Sequence, residues 1–366
     1  MQNWQAIRDG KLEKETFIQR ARILDLIREW FRKEGFLEVE TPLMVKHPGM
    51  EPHLNLFSSQ FVSEDGQYSD KRYLHTSPEY SMKKLLGAGF DKIFQLTKVF
   101  RNGELGNADF LGCTGGKAGE VNYCVQPLGE NESRHNPEFT MLEWYRGNAG
   151  YENIMDDCES MFKYIVQYLP REAVPTSIRQ LVEGEWERLS VKEAFQRYAG
   201  LDLDSLREEK DLRAAVEKKG YELGVHYTWD DLFFLILLNE IEPHLGKEKP
   251  QFLIDYPASQ AALARKKADD PFYAERFELY INGLELCNAF GELVDPVEQR
   301  KRLEEEWQQR KDMGKETYPL DEMFLEALKT MPPSGGNALG IDRLVMVLLG
   351  KKSIEEVLLF PWGDVS

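Results

Sequence analysis

The chain has 366 residues, 42% of them hydrophobic, which is enough for a substantial core and by length alone for about two domains. Forty-six basic against 63 acidic residues leave a net charge of −17, which opposes binding along a long nucleic-acid backbone but leaves room for a local contact with tRNA or with an acidic protein. The longest apolar run, Leu232 to Leu238, falls far short of the roughly 18 residues of a membrane span, Met1 to Gly10 has no signal-peptide core, and Cys113, Cys124, Cys158 and Cys287 never form CxxC, so a cytoplasmic protein with reduced thiols and no membrane partner is expected.

From Phe17 to Glu34 the apolar residues Phe17, Ile18, Ala21, Leu24, Ile27, Trp30 and Phe31 recur at three- and four-residue steps, which predicts an amphipathic helix ended by Gly35. Phe36 to Thr41 alternates and predicts a half-exposed strand stopped by Pro42. Further strands are predicted at Arg72 to Thr76 and Lys92 to Phe100, with a helix from Glu79 to Leu86 behind the Ser77-Pro78 break. Glu79 therefore opens a helix, where a dipole-favoured capping role competes with a functional one. Residues 105–133, rich in Gly, Asn, Cys and Thr, read as a long loop. Its Gly115-Gly116-Lys117 lacks the first glycine and the hydroxyl residue of a phosphate loop, and Cys113 with Cys124 lack companions for a metal site. About 150–245 reads as a mainly helical inserted subdomain, strand character returns at Gln251 to Tyr256 and Arg276 to Phe290, and a charged helix follows from Val297 to Lys311.

Phe277 to Cys287 consists of two alternating runs joined by Asn282-Gly283, a hairpin signal because both turn residues tolerate positive φ. Pairing Ile281 with Leu284 pairs Tyr280 with Glu285 and Glu278 with Cys287, and puts both glutamates on one face. Two neighbouring carboxylates call for a divalent metal or a basic ligand group, unless that face is simply solvated. Simple alternation turns Asn288, Phe290 and Glu292 to the other face, so a bend or bulge near Asn288 is required to bring them to the same pocket.

Three separated segments carry a recognisable combination. Gly35 to Pro42 (GFLEVETP) resembles motif 1 of the class II aminoacyl-tRNA synthetases, Phe100-Arg101-Asn102 with Arg134 to Glu143 resembles motif 2, and Gly340-Ile341-Asp342-Arg343 resembles motif 3, with Glu285 to Glu292 in order between the last two. The lysine subgroup matches best. Only a short segment precedes the first catalytic helix, where lysyl-tRNA synthetases carry an anticodon-reading domain. In this, and in Ser77-Pro78-Glu79-Tyr80, Gly246 to Pro250, Phe252 to Gln260 and Ala338, the chain resembles the synthetase paralogues that ligate β-lysine to elongation factor P.

The resemblance implies an α/β (α+β) fold: one class II catalytic domain over 1–366, with a mostly antiparallel six- or seven-stranded sheet flanked by helices and a homodimer formed through motif 1. It implies ATP and Mg²⁺ as cofactors, lysine or (R)-β-lysine as substrate and elongation factor P as acceptor. Arg101 would fork between substrate carboxylate and α-phosphate, with Arg343 as the second catalytic arginine. ATP would also meet Asn102, Gly103, Glu104, His135, Asn136, Phe139, Glu285, Leu286 and Gly340, while Glu278 and Glu285 hold the metal. Ser77, Pro78 and Glu79 would lie near the α- or β-amine, Glu143, Tyr145 and Glu292 would read the side-chain ammonium, and Asn288 and Phe290 would complete the substrate site. Adenylate formation requires no protein base, and none is assigned.

The sequence also departs from the family pattern. Gly103 stands where motif 2 has glutamate and Glu104 follows it; the loop between Arg101 and His135 is expanded; and Ala289 replaces a glycine. Two other readings therefore stand beside the ligase: an enzyme making the same adenylate but charging tRNA or a free amine, and a non-catalytic paralogue.

Overall fold

The computed structural model describes residues 2–104 and 133–364, so the glycine-rich stretch, its Gly115-Gly116-Lys117, Cys113 and Cys124 lie outside the described residues. Eleven strands form among those described: β1 (Leu37–Glu38), β2 (Met44–Val45), β3 (Ser58–Val62), β4 (Ser69–Leu74), β5 (Lys92–Phe100), β6 (Glu138–Gly147), β7 (Glu187–Ser190), β8 (Gln251–Pro257), β9 (Tyr273–Ile281), β10 (Leu284–Gly291) and β11 (Ser334–Gly340). Eight of them build one sheet in the order β1-β5-β6-β11-β10-β9-β8-β7, and β2-β4-β3 make a small second sheet. The sheet is thus larger than the expected six or seven strands. The central pairings are all antiparallel, and short β1 and β7 extend the two edges by parallel pairing with β5 and β8.

The first long helix runs Lys14–Lys33 and buries Ile23, Leu26, Ile27, Trp30 and Phe31; of the expected stripe Ile27, Trp30 and Phe31 are buried, whereas Ile18 and Ala21 are exposed and Ile23 and Leu26 take the inward positions. Gly35, at φ +79°, turns the chain into β1. That strand is shorter than expected. Phe36 enters the core while Leu37 stays exposed, because an edge strand beside Pro42 has only β5 to pair with.

Two cores cover one face of the large sheet and its flank. The helices Lys14–Lys33, Tyr151–Tyr168 and Ile341–Leu349 close over Leu142, Leu286, Cys287, Ala289 and Leu339. A second cluster, Leu189 to Leu245, packs on Leu253, Tyr256, Tyr273 and Tyr280. The opposite face is roofed only in part, by the helices Glu79–Gly87, Pro296–Asp312 and Glu322–Leu328 around Met82, Leu303 and Phe324. That face holds the candidate site.

Candidate active site

Register decides which side chains meet. Across β6, β11, β10 and β9 the row reads Glu143, Ala338, Asn288, Glu278, each paired directly with the next, so all four share a face. Tyr145 pairs with Gly336, which pairs with Phe290, and Met141 pairs with Gly340, extending the same face in both directions. A side chain at Gly336 would collide with the Tyr145 ring and with Glu292, so that glycine keeps the acid slot open.

The hairpin turns at Asn282 (φ 55°) and Gly283 (φ 75°), as the Asn-Gly signal predicts, and Tyr280 faces Glu285. Beyond that pair the register shifts. Leu286 is an extra residue, so Cys287 faces Leu279 and Glu278 faces Asn288, which corrects the expected pairing of Glu278 with Cys287. The bulge sends Leu286 and Cys287 into the core together and returns Asn288 and Phe290 to the face of Glu285 and Glu278.

At one end of the face the carboxylates converge. Ser77 Oγ donates to Glu143 at 2.7 Å and accepts from the Glu79 amide at 3.0 Å, while Tyr145 donates to the other Glu143 oxygen at 2.5 Å. Pro78 takes the N-terminal position of the Glu79–Gly87 helix. Burial, then the charge of Glu79, pushes the Glu143 carboxyl up to about 8, and burial lifts Glu292 to about 7 although Lys83 opposes the shift. Lys83 is wholly buried and lies 2.5 Å from both Glu79 and Glu292.

At the other end lie the arginines. Arg101 sits with its guanidinium 5.2 Å from the Phe139 ring centroid and 3.7 Å from Glu104, and its Nε is buried without a partner. Arg343, in the first turn of Ile341–Leu349, donates to the Glu285 carbonyl at 3.0 Å and lies 2.6 Å from His135 Nε2. Burial, then Arg343 and Arg101, depresses the His135 imidazole to about 3, so it is neutral and its Nε2 accepts from Arg343. His135 Nδ1 is likewise buried and unpartnered. Two orphaned groups beside two guanidiniums and an aromatic ring suit a nucleotide with its phosphates.

The neighbouring motif 2 residues are spent within the chain. Asn102 bonds the Asn55 and Leu56 carbonyls, Gly103 turns at φ +90°, and Glu104 is buried against Arg101. The Asn136 amide donates to the Glu138 carbonyl and accepts from the Trp362 amide, pinning the C-terminal segment.

Glu278 is gripped by Tyr256 at 2.5 Å, Tyr280 at 2.8 Å and Arg276 at 2.7 Å, and Arg276 also donates to Asn288 at 3.1 Å. Burial and the charge of Glu278 raise the Glu285 carboxyl above its ordinary value. No third metal-ligating side chain joins the pair among the described residues. Arg276 and Arg343 offset the repulsion between these carboxylates only in part, since Glu285 stays raised, and such a pair would fit Mg²⁺, which keeps its waters and takes its remaining ligands from phosphates.

Sequence reasoning missed Lys83, Arg276, Tyr256, Tyr280 and Glu51. The first follows Glu79 by one helical turn and Arg276 precedes Glu278 by two strand positions, signals that were present. Glu51 Oε2 is buried without a partner in the loop before β3, beside a cavity of about 240 Å³ that Ser77 and Glu79 also line. Nothing local in the sequence points to it.

An eight-stranded mixed sheet with an acid slot on one face, flanked by Arg101 just past β5 and by Arg343 from the helix after β11, defines a class II synthetase catalytic unit. The family model for class II tRNA synthetases (D, K and N) matches residues 2–109 and 129–363, and the chain belongs to that family. The unmatched residues, 110–128, lie outside the described residues. Among curated proteins the chain is similar to the elongation factor P–(R)-β-lysine ligase of Haemophilus influenzae, 38% identical over 361 residues and 98% of both chains. Ligases of the same name match from Proteus mirabilis, at 38% over 94% of both chains, and from Avibacterium paragallinarum, at 37% over 94% of this chain and 95% of that one.

Proposed function

We propose that this chain is an ATP-dependent ligase that activates lysine or (R)-β-lysine as an acyl-adenylate and transfers the acyl group to a lysine side chain of elongation factor P. The observation that carries the reading is the single sheet face on which a carboxylate slot with a buried counter-ion stands beside the Arg101 and Arg343 guanidiniums. The near full-length similarity to the named ligases supports the acceptor.

In the first half-reaction a substrate carboxylate oxygen attacks the α-phosphate and pyrophosphate leaves with the electron pair of the broken P–O bond. Two anions must meet, and Arg101 answers with a fixed charge whose buried Nε has no partner among the described residues. Phe139 supplies a ring for adenine, and Arg343, held by Glu285 and neutral His135, caps the opposite side. Glu278 and Glu285 would hold Mg²⁺, which when bound offsets phosphate charge. Glu79, Glu143 and Glu292 receive the two ammonium groups, with Tyr145 and Ser77 fixing Glu143 and Asn288 near the carboxylate. In the second half-reaction the neutral acceptor amine attacks the acyl carbon, AMP leaves with the electron pair of the broken C–O bond, and the amine proton passes to the departing phosphate or to water.

Motif 1 leaves Leu37 exposed, as are Leu43 and Met44 just after it, an apolar edge that a second copy of the chain would cover in a homodimer. No helix among the described residues is long and apolar enough to cross a membrane. The test is mass spectrometry of purified elongation factor P after incubation with this protein, ATP, Mg²⁺ and each lysine isomer. One acyl addition is expected. Labelling of tRNA with none on the protein would transfer the assignment to the alternative acceptor, and ATP binding without lysine-dependent pyrophosphate exchange would favour a non-catalytic paralogue.

A further inference from the structure

We propose that Lys83 is a specificity-determining positioning residue, an internal ammonium that sets the charge of the amino acid slot so that a substrate with two ammonium groups completes it. The inference deepens the ligase reading and rests on it. Lys83 lies one turn beyond Glu79 in the Glu79–Gly87 helix, its side chain is 0% exposed, and its Nζ stands 2.5 Å from Glu79 Oε1 and 2.5 Å from Glu292 Oε2. Burying an ammonium is costly, so a lysine in this place must answer buried negative charge.

The surroundings show which charge. Glu143, the third carboxylate of the slot, receives only the neutral hydroxyls of Ser77 and Tyr145. The nearby cations are committed elsewhere: Arg265 to Glu275 at 2.6 Å and Arg276 to Glu278 at 2.7 Å. Once a diammonium substrate enters, its charges draw Glu143 and Glu292 from their raised state into the ionised form, and three carboxylates less one ammonium then leave two negative charges, the number of ammonium groups on lysine or β-lysine, whose carboxylate goes to Arg101. An amino acid with one ammonium would leave a buried carboxylate without a partner.

A purely mechanical strut between the helix and the residue after β10 would show the same contacts, so the test must read charge. Lysine-dependent ATP–pyrophosphate exchange is measured for wild type, Lys83→Met, Lys83→Arg and the double variant Lys83→Met/Glu292→Gln, with KM for lysine and for ATP determined separately. Lys83→Met keeps the length and loses the charge; the expected result is a KM for lysine raised at least tenfold with KM for ATP within twofold. The double variant restores the charge balance and should recover at least threefold of that loss. Lys83→Arg should stay within about threefold of wild type, and it decides the matter if Lys83→Met does not fold. An unchanged lysine KM in Lys83→Met, equal losses for lysine and ATP with no recovery in the double variant, or a large loss in Lys83→Arg each overturns the proposal. Absence of exchange in the wild type would instead refute the ligase reading itself.

Discussion

Replacing Glu143 with glutamine separates what this carboxyl does for the folded chain from what it does for a substrate. In the structure it is buried, receives Ser77 and Tyr145, and is pushed up to about 8 by burial and by Glu79. The unfolded chain ionises it near 4.5 while the folded chain holds the proton to about 8, so folding takes up a proton in that window. The sign follows: this contribution to stability is complete below 4.5 and is lost as pH rises to about 8, at roughly 1.4 kcal/mol per pH unit. Glu143→Gln removes the titration, so the ligand-free variant should be at least as stable as wild type at pH 8, with a flatter dependence of urea midpoint on pH. Substrate binding should suffer in the opposite sense. Removing one partner of a buried ion pair costs about 3–5 kcal/mol, which at about 1.4 kcal/mol per decade raises the KM for lysine by roughly two to three and a half decades. Pyrophosphate exchange against lysine concentration, beside urea melts from pH 5 to 8.5, reads both halves. A lysine KM within threefold of wild type, or a steeper pH dependence in the variant, would refute the reasoning.

Arg101→Lys keeps the charge but loses the fork; single-turnover adenylate formation should slow by about 10²–10³, and a loss below tenfold would remove Arg101 from the transition state. Glu285→Gln takes one carboxylate from the repelling pair, so a Mg²⁺ titration of the exchange reaction should shift upward by about tenfold, and an unshifted titration would exclude Glu285 as a ligand. Gly246, at φ +68°, clasps the turn of the β9–β10 hairpin so closely that a Cβ there would lie 2.5 Å from the Tyr280 carbonyl carbon; Gly246→Ala should cost about 2 kcal/mol in urea unfolding. A midpoint equal to wild type would show that the clasp yields.

Local chemistry made part of this protein legible. The helix Lys14–Lys33, the helix start at Glu79, β5 in full, and the Asn282-Gly283 turn all follow from periodicity and from residues with restricted or unusual φ. The glycine-rich β11 offered no such signal, since Ser334 to Gly340 is a strand only because β6 and β10 pair with it on both sides. The same holds for β7, whose partner β8 lies far along the chain.

Sequence alone set the order of the motifs, the acidic and arginine side chains available to the site, and the need for a bulge in the strand after the turn. Tertiary structure decided where that bulge falls, at Leu286, and thereby which residues face Glu278. It also decided that the Asn136 amide serves the C-terminal segment and that Lys83 is shared between a helix and the end of a distant strand. Side-chain types and turn preferences are properties of a few neighbouring residues, whereas register and ion pairing across the sheet depend on long-range packing, in which one extra residue exchanges the two faces of a strand.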